Sequence, residues 1–284
     1  MSKLRVAVNQ PYTKFGDVDG NLDQVIELAR LSAACGCRIA LSPEVALYGY
    51  SIPPEQLARA TPADGPVAER IAKAAKDLDI CIVTGVFELE ESTGDIYISQ
   101  FIGMPNGDLL VQRKVGGHEK PGIARAPAEW HTFEVDGVTC AVTICIDSVN
   151  PIIDEYLIDA GCQLQLVPVA GGGAHGRHYA NDWDDDEKYA NYLEALSDSC
   201  SPKGDGFRQR RESQMAMACA NLATGDDGHD YFQQGHSQIY DSSGALVALI
   251  PGEHVQEFFS PRMAWGDITP LMPKHRKSKE AIDG

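Results

Sequence analysis

The stretch "VTICID", residues 142–147, decides how the rest of the chain is read. Val142, Thr143 and Ile144 are β-branched, the composition of a buried strand. A thiol, Cys145, comes next, then Ile146 and an aspartate, and "SVNP" forces the chain to turn away. A cysteine so placed is either core filling or a nucleophile held at the rim of a sheet.

Working outward, "HTFEVDG" and "VTCAVTICID" read as strands joined at Asp136-Gly137, and "DIYISQFIGM" and "GDLLVQRK" as strands joined at Asn106-Gly107. Further upstream, "LRVAVNQ" alternates apolar and polar residues like a strand. "NLDQVIELARLSAACG" places Leu22, Val25, Ile26 and Ala29 on one helical face, with Asn21 as cap and Gly36 as stop. "CRIALSPE" is a strand, "GPVAERIAKAAKDLD" a second amphipathic helix and "ICIVTGVFELE" another strand. Downstream come a helix, "PIIDEYLIDAG", and a strand, "CQLQLVPVA". "RRESQMAMACANLA" reads as a helix and "SQIYDSSGALVALI" as a hairpin.

Helices flanking a strand-rich middle imply a layered α/β architecture. Neither a linker nor an internal repeat divides the chain, so residues 1–260 are expected to form a single domain and 261–284 a polar C-terminal tail. Residues 171–207, from "GGGAHGRH" through "NDWDDDEKYANYLEAL" to "SPKGDG", read as an acidic insertion and a possible lid. No final strand is evident in "EHVQEFFSPRMAWGDITP"; Phe258, Phe259 and Trp265 either cap the core or dock on a partner subunit.

The bulk properties exclude several classes. A net charge of −17 argues against nucleic acid, because phosphate contacts need clustered Lys and Arg. "MSKLRVAVNQ" has no signal-peptide pattern, and no apolar run is long enough to cross a bilayer; the expectation is a cytoplasmic protein without membrane contact. Cys35, Cys37, Cys81, Cys140, Cys145, Cys162, Cys200 and Cys219 contain no Cys-x-x-Cys pair, which disfavours a zinc ribbon or a redox dithiol. His175 and His178 beside the acidic insertion lack a diagnostic ligand spacing, so no metal and no organic cofactor are expected.

Three strands end in residues that carry chemistry. Glu44 follows "RIALSP", Lys114 ends "LLVQRK" and Cys145 ends "AVTIC". Strands often end in polar residues, so none of these identifies a site alone; the combination does. A thiol is a weak nucleophile until ionised. A carboxylate beside it can take the proton. An ammonium can stabilise the oxyanion formed when sulfur adds to a carbonyl, at roughly 3–4 kcal/mol per donor. The resulting thioester is released by water that the same carboxylate activates.

"SPEVALYGY", "RK" at 113–114 and "TICID" resemble, in order, the three signature blocks of the nitrilase superfamily of carbon–nitrogen hydrolases. The resemblance extends over roughly residues 4–252, apart from the insertion. It implies a four-layer α-β-β-α sandwich that dimerises through a shared α layer or forms a higher homo-oligomer. It also implies Glu44 as general base, Lys114 as stabiliser of the tetrahedral intermediate and Cys145 as nucleophile. Glu119 is the candidate second glutamate, with Glu129 as its rival. Ile146, through its backbone amide, Tyr50 and His236 are the expected substrate-contacting positions, with His236 and Ser237 bracing the wall.

The chain departs from the family pattern at Ile146, at "SVNP" and at "KVGGHEKPG", changes that remodel the pocket floor. The implied activity is hydrolysis of a small amide through a thioester. A nitrile or N-carbamoyl substrate, an acyl transfer, a Cys145–His236 mechanism and a non-catalytic binding or assembly module are the alternatives. An insertion carrying Asp184, Asp185 and Asp186 around Trp183, if it is a lid, would favour cationic substrates.

Overall fold

The computed structural model describes residues 3–50, 52–116, 120–171, 213–224, 233, 235–250 and 260–275. The acidic insertion beyond Gly171 lies outside the described residues, as do Glu119, Phe258 and Phe259.

The chain begins with β1 (Leu4–Gln10) and a short β2 (Tyr12–Thr13), then α1 (Val18–Ala34) and β3 (Ile39–Leu41). Asp17, rather than Asn21, caps α1, its carboxylate accepting from the Gly20 amide at 3.1 Å. Asn21 lies one turn inside the helix and is fully buried, bonded to Lys14 and to the Leu47 carbonyl. A one-turn α2 (Pro54–Leu57) precedes α3 (Pro66–Leu78), where Pro66 occupies the first turn that tolerates it. Then β4 (Cys81–Glu90), β5 (Asp95–Gly103) and β6 (Leu109–Arg113) form a meander. With β1, β3 and β14 (Arg262–Ile268) they make a six-stranded sheet in which β1, β3, β4 and β6 run in one direction.

The second sheet contains β7 (Thr132–Val135), β8 (Val138–Val142), β9 (Leu164–Val169), β10 (Ala216–Asn221), β12 (Gln238–Tyr240) and β13 (Leu246–Leu249). Here β8, β9 and β10 are parallel. A two-residue β11 (Ala223–Thr224) pairs with β2. After β8 the chain makes a 3-10 turn (Cys145–Val149) and enters α4 (Pro151–Asp159), capped by the Asn150 side chain.

The two sheets face each other across one apolar core that takes Val6, Val8 and Leu41 from the first and Leu164, Ala218 and Ile239 from the second. Helices α1 and α3 cover the outer face of the first sheet. Ile153 and Leu157 of α4 pack on Ala141 and Met215, covering the second. This is the α-β-β-α sandwich that the family resemblance implies.

Two elements differ from the sequence reading. "AMACAN", within the expected helix "RRESQMAMACANLA", is strand β10, paired to β9 on one side and β12 on the other. Ala and Met are good helix formers, but propensity is a weak determinant, and a slot that buries the segment between two strands overrides it. Residues 261–284 are not simply a tail: β14 (Arg262–Ile268) pairs antiparallel along the whole of β1 and extends the first sheet. Trp265, on this strand, is 42% exposed and stacks under the Arg5 guanidinium at 4.3 Å. Among the described residues, no helix is long and apolar enough to cross a membrane.

Candidate active site

The carboxyl ends of β3 and β6 in one sheet and of β8 and β9 in the other open on the same edge of the sandwich. Glu44 stands three residues past β3, in a turn where Val45 takes a φ of 45°. A β-branched residue at positive φ is strained and persists only where its surroundings impose it. Gly85 of β4 makes room for this turn: a Cβ there would lie 2.1 Å from the Val45 nitrogen and 2.5 Å from the Pro43 oxygen. The turn leaves Glu44 with no exposed surface.

Lys114 directly follows β6, its side chain 9% exposed, and its Nζ donates to Glu44 Oε1 at 2.7 Å. The amide of Ala170, just past β9, donates to Glu44 Oε2 at 3.1 Å. Burial works against the Lys114 charge, but Glu44, with smaller help from Cys145 and Tyr50, holds its pKa above the usual lysine value.

Cys145 lies three residues beyond β8 rather than at the strand's end, at the start of the 3-10 turn with a φ of 51°. The bend lifts the half-buried thiol out of the strand and against Glu44 and the Ala170 amide. Burial and then the Glu44 charge push its pKa up to about 11, with Lys114 and the Ala170 amide opposing. The resting sulfur is a thiol that sheds its proton only to a partner.

Asp147 answers why an acid follows the cysteine so closely. It is 2% exposed, and its carboxylate accepts from the amides of Val115, at 3.0 Å, and Gly116. It thereby ties the turn after Cys145 to the segment after Lys114. Burial raises its pKa, against the pull of those two amides.

Tyr50 and Lys120 complete the constellation. The Lys114 ammonium lies 5.9 Å from the centre of the Tyr50 ring, and that of Lys120 3.5 Å. The backbone of Ile146 belongs to the first turn after Cys145, and its side chain is 46% exposed. His236, at a φ of 69°, precedes Ser237, which accepts from the Asn221 amide at 3.0 Å and donates to Gln10 at 3.1 Å, bridging β10 and β1. Glu119 lies outside the described residues. Glu129 is exposed and lines a cavity of about 350 Å³ with Glu88, Arg113 and His131.

The structure therefore brings together Glu44, Lys114, Cys145 and Tyr50. The sequence reading missed Asp147, Lys120 and the Ala170 amide. "CID" offered a signal for Asp147, an acid wedged between a buried strand and a helix start. The Ala170 amide carries no side-chain signal.

The family model described as Carbon-nitrogen hydrolase matches residues 5–164. The glutamine-dependent NAD(+) synthetase of Thermotoga maritima is 24% identical over 260 residues, covering 87% of this chain and 40% of that enzyme. The chain spans about half the length of the curated relatives it matches. Among solved structures, a CN-hydrolase superfamily protein from Xanthomonas campestris superposes with a TM-score of 0.72 at 20% identity, covering 95% of this chain and 91% of that one. An amidase from Nesterenkonia sp. AN1, with acrylamide added at its active-site cysteine, superposes with a TM-score of 0.72 at 18% identity, covering 94% and 93%. At these identities the likeness is one of fold.

Proposed function

The chain belongs to the carbon–nitrogen hydrolase family, and on that premise we propose that it hydrolyses a small amide through a thioester on Cys145. The observation that carries this reading is the buried Glu44 carboxylate, which meets the Lys114 ammonium at 2.7 Å, the Ala170 amide at 3.1 Å and the Cys145 thiol.

When an amide carbonyl reaches Cys145, Glu44 takes the thiol proton as sulfur forms its bond to carbon. The carbonyl oxygen becomes an oxyanion. The Lys114 ammonium and the amide of Ile146 stabilise it, each such donor contributing about a hundred- to a thousandfold in rate. Collapse of the intermediate breaks the C–N bond, and the proton held by Glu44 leaves with ammonia. Water then attacks the thioester while Glu44 takes one of its protons. The acid departs, and the proton returns to the sulfur. Lys114 remains charged throughout, consistent with a pKa held above the ordinary lysine value.

The test is an ammonia-release screen over small amides, nitriles and N-carbamoyl compounds, run beside Cys145→Ala. Release that depends on Cys145, together with an acyl adduct on the protein by intact mass, is the expected result. Ammonia release that survives in Cys145→Ala would overturn the assignment of the nucleophile. Carbon dioxide released with the ammonia, or release from nitriles alone, would redirect the substrate class on the same three side chains.

A further inference from the structure

The two groups assigned to the oxyanion come from different sheets. Lys114 follows β6 of the first, and the Ile146 amide lies in the turn that follows β8 of the second. A donor stabilises an oxyanion only if it already stands where that charge develops, so the distance between these two loops has to be held. Asp147 sits where it can hold it. It is the residue after Ile146, and its buried carboxylate accepts from the amides of Val115 and Gly116, the two residues after Lys114. Each end of this clasp is therefore one residue from an oxyanion donor. The approach leaves no room for a side chain: a Cβ on Gly116 would lie 2.6 Å from Asp147 Oδ1 and 3.4 Å from Ile146 Cγ2. The two amides favour the ionised form of the carboxylate against its burial.

We propose that Asp147 is a positioning residue for the oxyanion site: its clasp on Val115 and Gly116 fixes the Lys114 ammonium against the Cys145–Ile146 turn, so that both donors meet the same oxygen. The inference rests on the amide-hydrolysis reading above and assigns what keeps its two donors in register across the two sheets. The clasp acts through backbone amides rather than on the acyl group. Loosening it should therefore lower kcat and leave KM nearly unchanged, the mark of an interaction realised only in the transition state.

The experiment uses Asp147→Asn, which sets an amide NH2 against one of the two backbone donors, and Gly116→Ala, which keeps the carboxylate and wedges the loops apart. Near-ultraviolet circular dichroism checks that each variant keeps the wild-type fold. The first readout is the pH profile of Cys145 alkylation by iodoacetamide, followed by peptide mass spectrometry. Lys114 lowers the thiol pKa, so an ammonium that drifts away should move the profile to higher pH. Each unit of displacement slows alkylation at a fixed lower pH by about tenfold. Loss of the Asp147 charge alone would move the profile the other way, so Asp147→Asn separates position from charge by sign. The second readout is turnover of acetamide, propionamide and butyramide. In both variants kcat should fall by about ten- to a hundredfold, as a small misplacement of a reacting group costs, with KM within about threefold of wild type.

A profile unchanged or moved to lower pH in the folded variants would overturn the proposal, as would a loss carried by KM. Should one variant fail to fold, the other decides by the same criteria. Cys145-dependent turnover with kcat and profile unaltered in the variants would leave the hydrolase reading standing and remove the clasp. Profiles moved to higher pH, with none of the three amides turned over by the wild type, would keep the clasp and remove the reaction.

Discussion

Two buried glutamates, Glu88 in β4 and Glu44 just past β3, each hold a cation from the end of β6, and only one of them lies against a thiol. Glu88, 3% exposed, receives Arg113 through Nε at 2.9 and 3.1 Å and again through Nη2, and Ser99 donates to it as well. Arg113 also reaches Glu90 at 2.7 Å and stacks over Tyr97 at 4.1 Å. Glu44, fully buried, receives one ammonium and one backbone amide, and lies against a thiol. Arg113 and Lys114 are consecutive, so the alternation of a strand sends them to opposite faces.

The lesson is one of partners. A guanidinium fork saturates a carboxylate in fixed geometry and never gives up a proton. A lysine is a point charge that leaves carboxylate lone pairs for a proton in transit. Burial of an ion pair is common to both sites and does not distinguish them; the third group does.

The largest effect that could break this comparison is on turnover. Glu44→Gln is expected to lower kcat for ammonia release by about a thousandfold or more, the range of a lost general base, whereas Glu88→Gln should cost less than about tenfold. Comparable losses in the two variants would erase the distinction. Stability should sort the pairs the other way. Arg113→Met strands a buried carboxylate and should lower the free energy of unfolding in urea by about 3 kcal/mol, with kcat little altered in the protein that remains folded. A stability within about 0.5 kcal/mol of wild type would show that the fork is not structural.

The smallest expected effect is the sharpest in sign. Because burial and Glu44 hold the Cys145 pKa at about 11, alkylation of the wild type by iodoacetamide should climb as pH rises toward that value. Glu44→Gln removes the opposing charge and leaves Lys114 in place, which lowers the thiol pKa; each unit of lowering accelerates alkylation at pH 8 by about tenfold. The variant that turns over least should therefore alkylate fastest. Glu88→Gln should match the wild type. The buried thiols of Cys37, Cys81 and Cys162, pushed to about 12, should lag behind Cys145 throughout.

What could be read along the chain was whatever is written locally. Period-two alternation marks β1, apolar spacing marks α1 and α3, and Asp136-Gly137 marks a hairpin. Residue type singled out Glu44, Lys114 and Cys145 along the chain, and the structure brings their side chains together. Other features were decided only in three dimensions. "AMACAN" is a strand because β9 and β12 flank it, and Arg262–Ile268 is a strand because β1 offers an edge. Asp147 acts on amides 31 and 32 residues away, and Ala170 meets Glu44 across 126 residues. Side-chain identity and periodicity are properties of neighbours in sequence, whereas pairing, burial and the charge felt by a thiol arise from sheets packed face to face. That packing brings distant backbone amides and ammonium groups to one edge, where no local pattern records them.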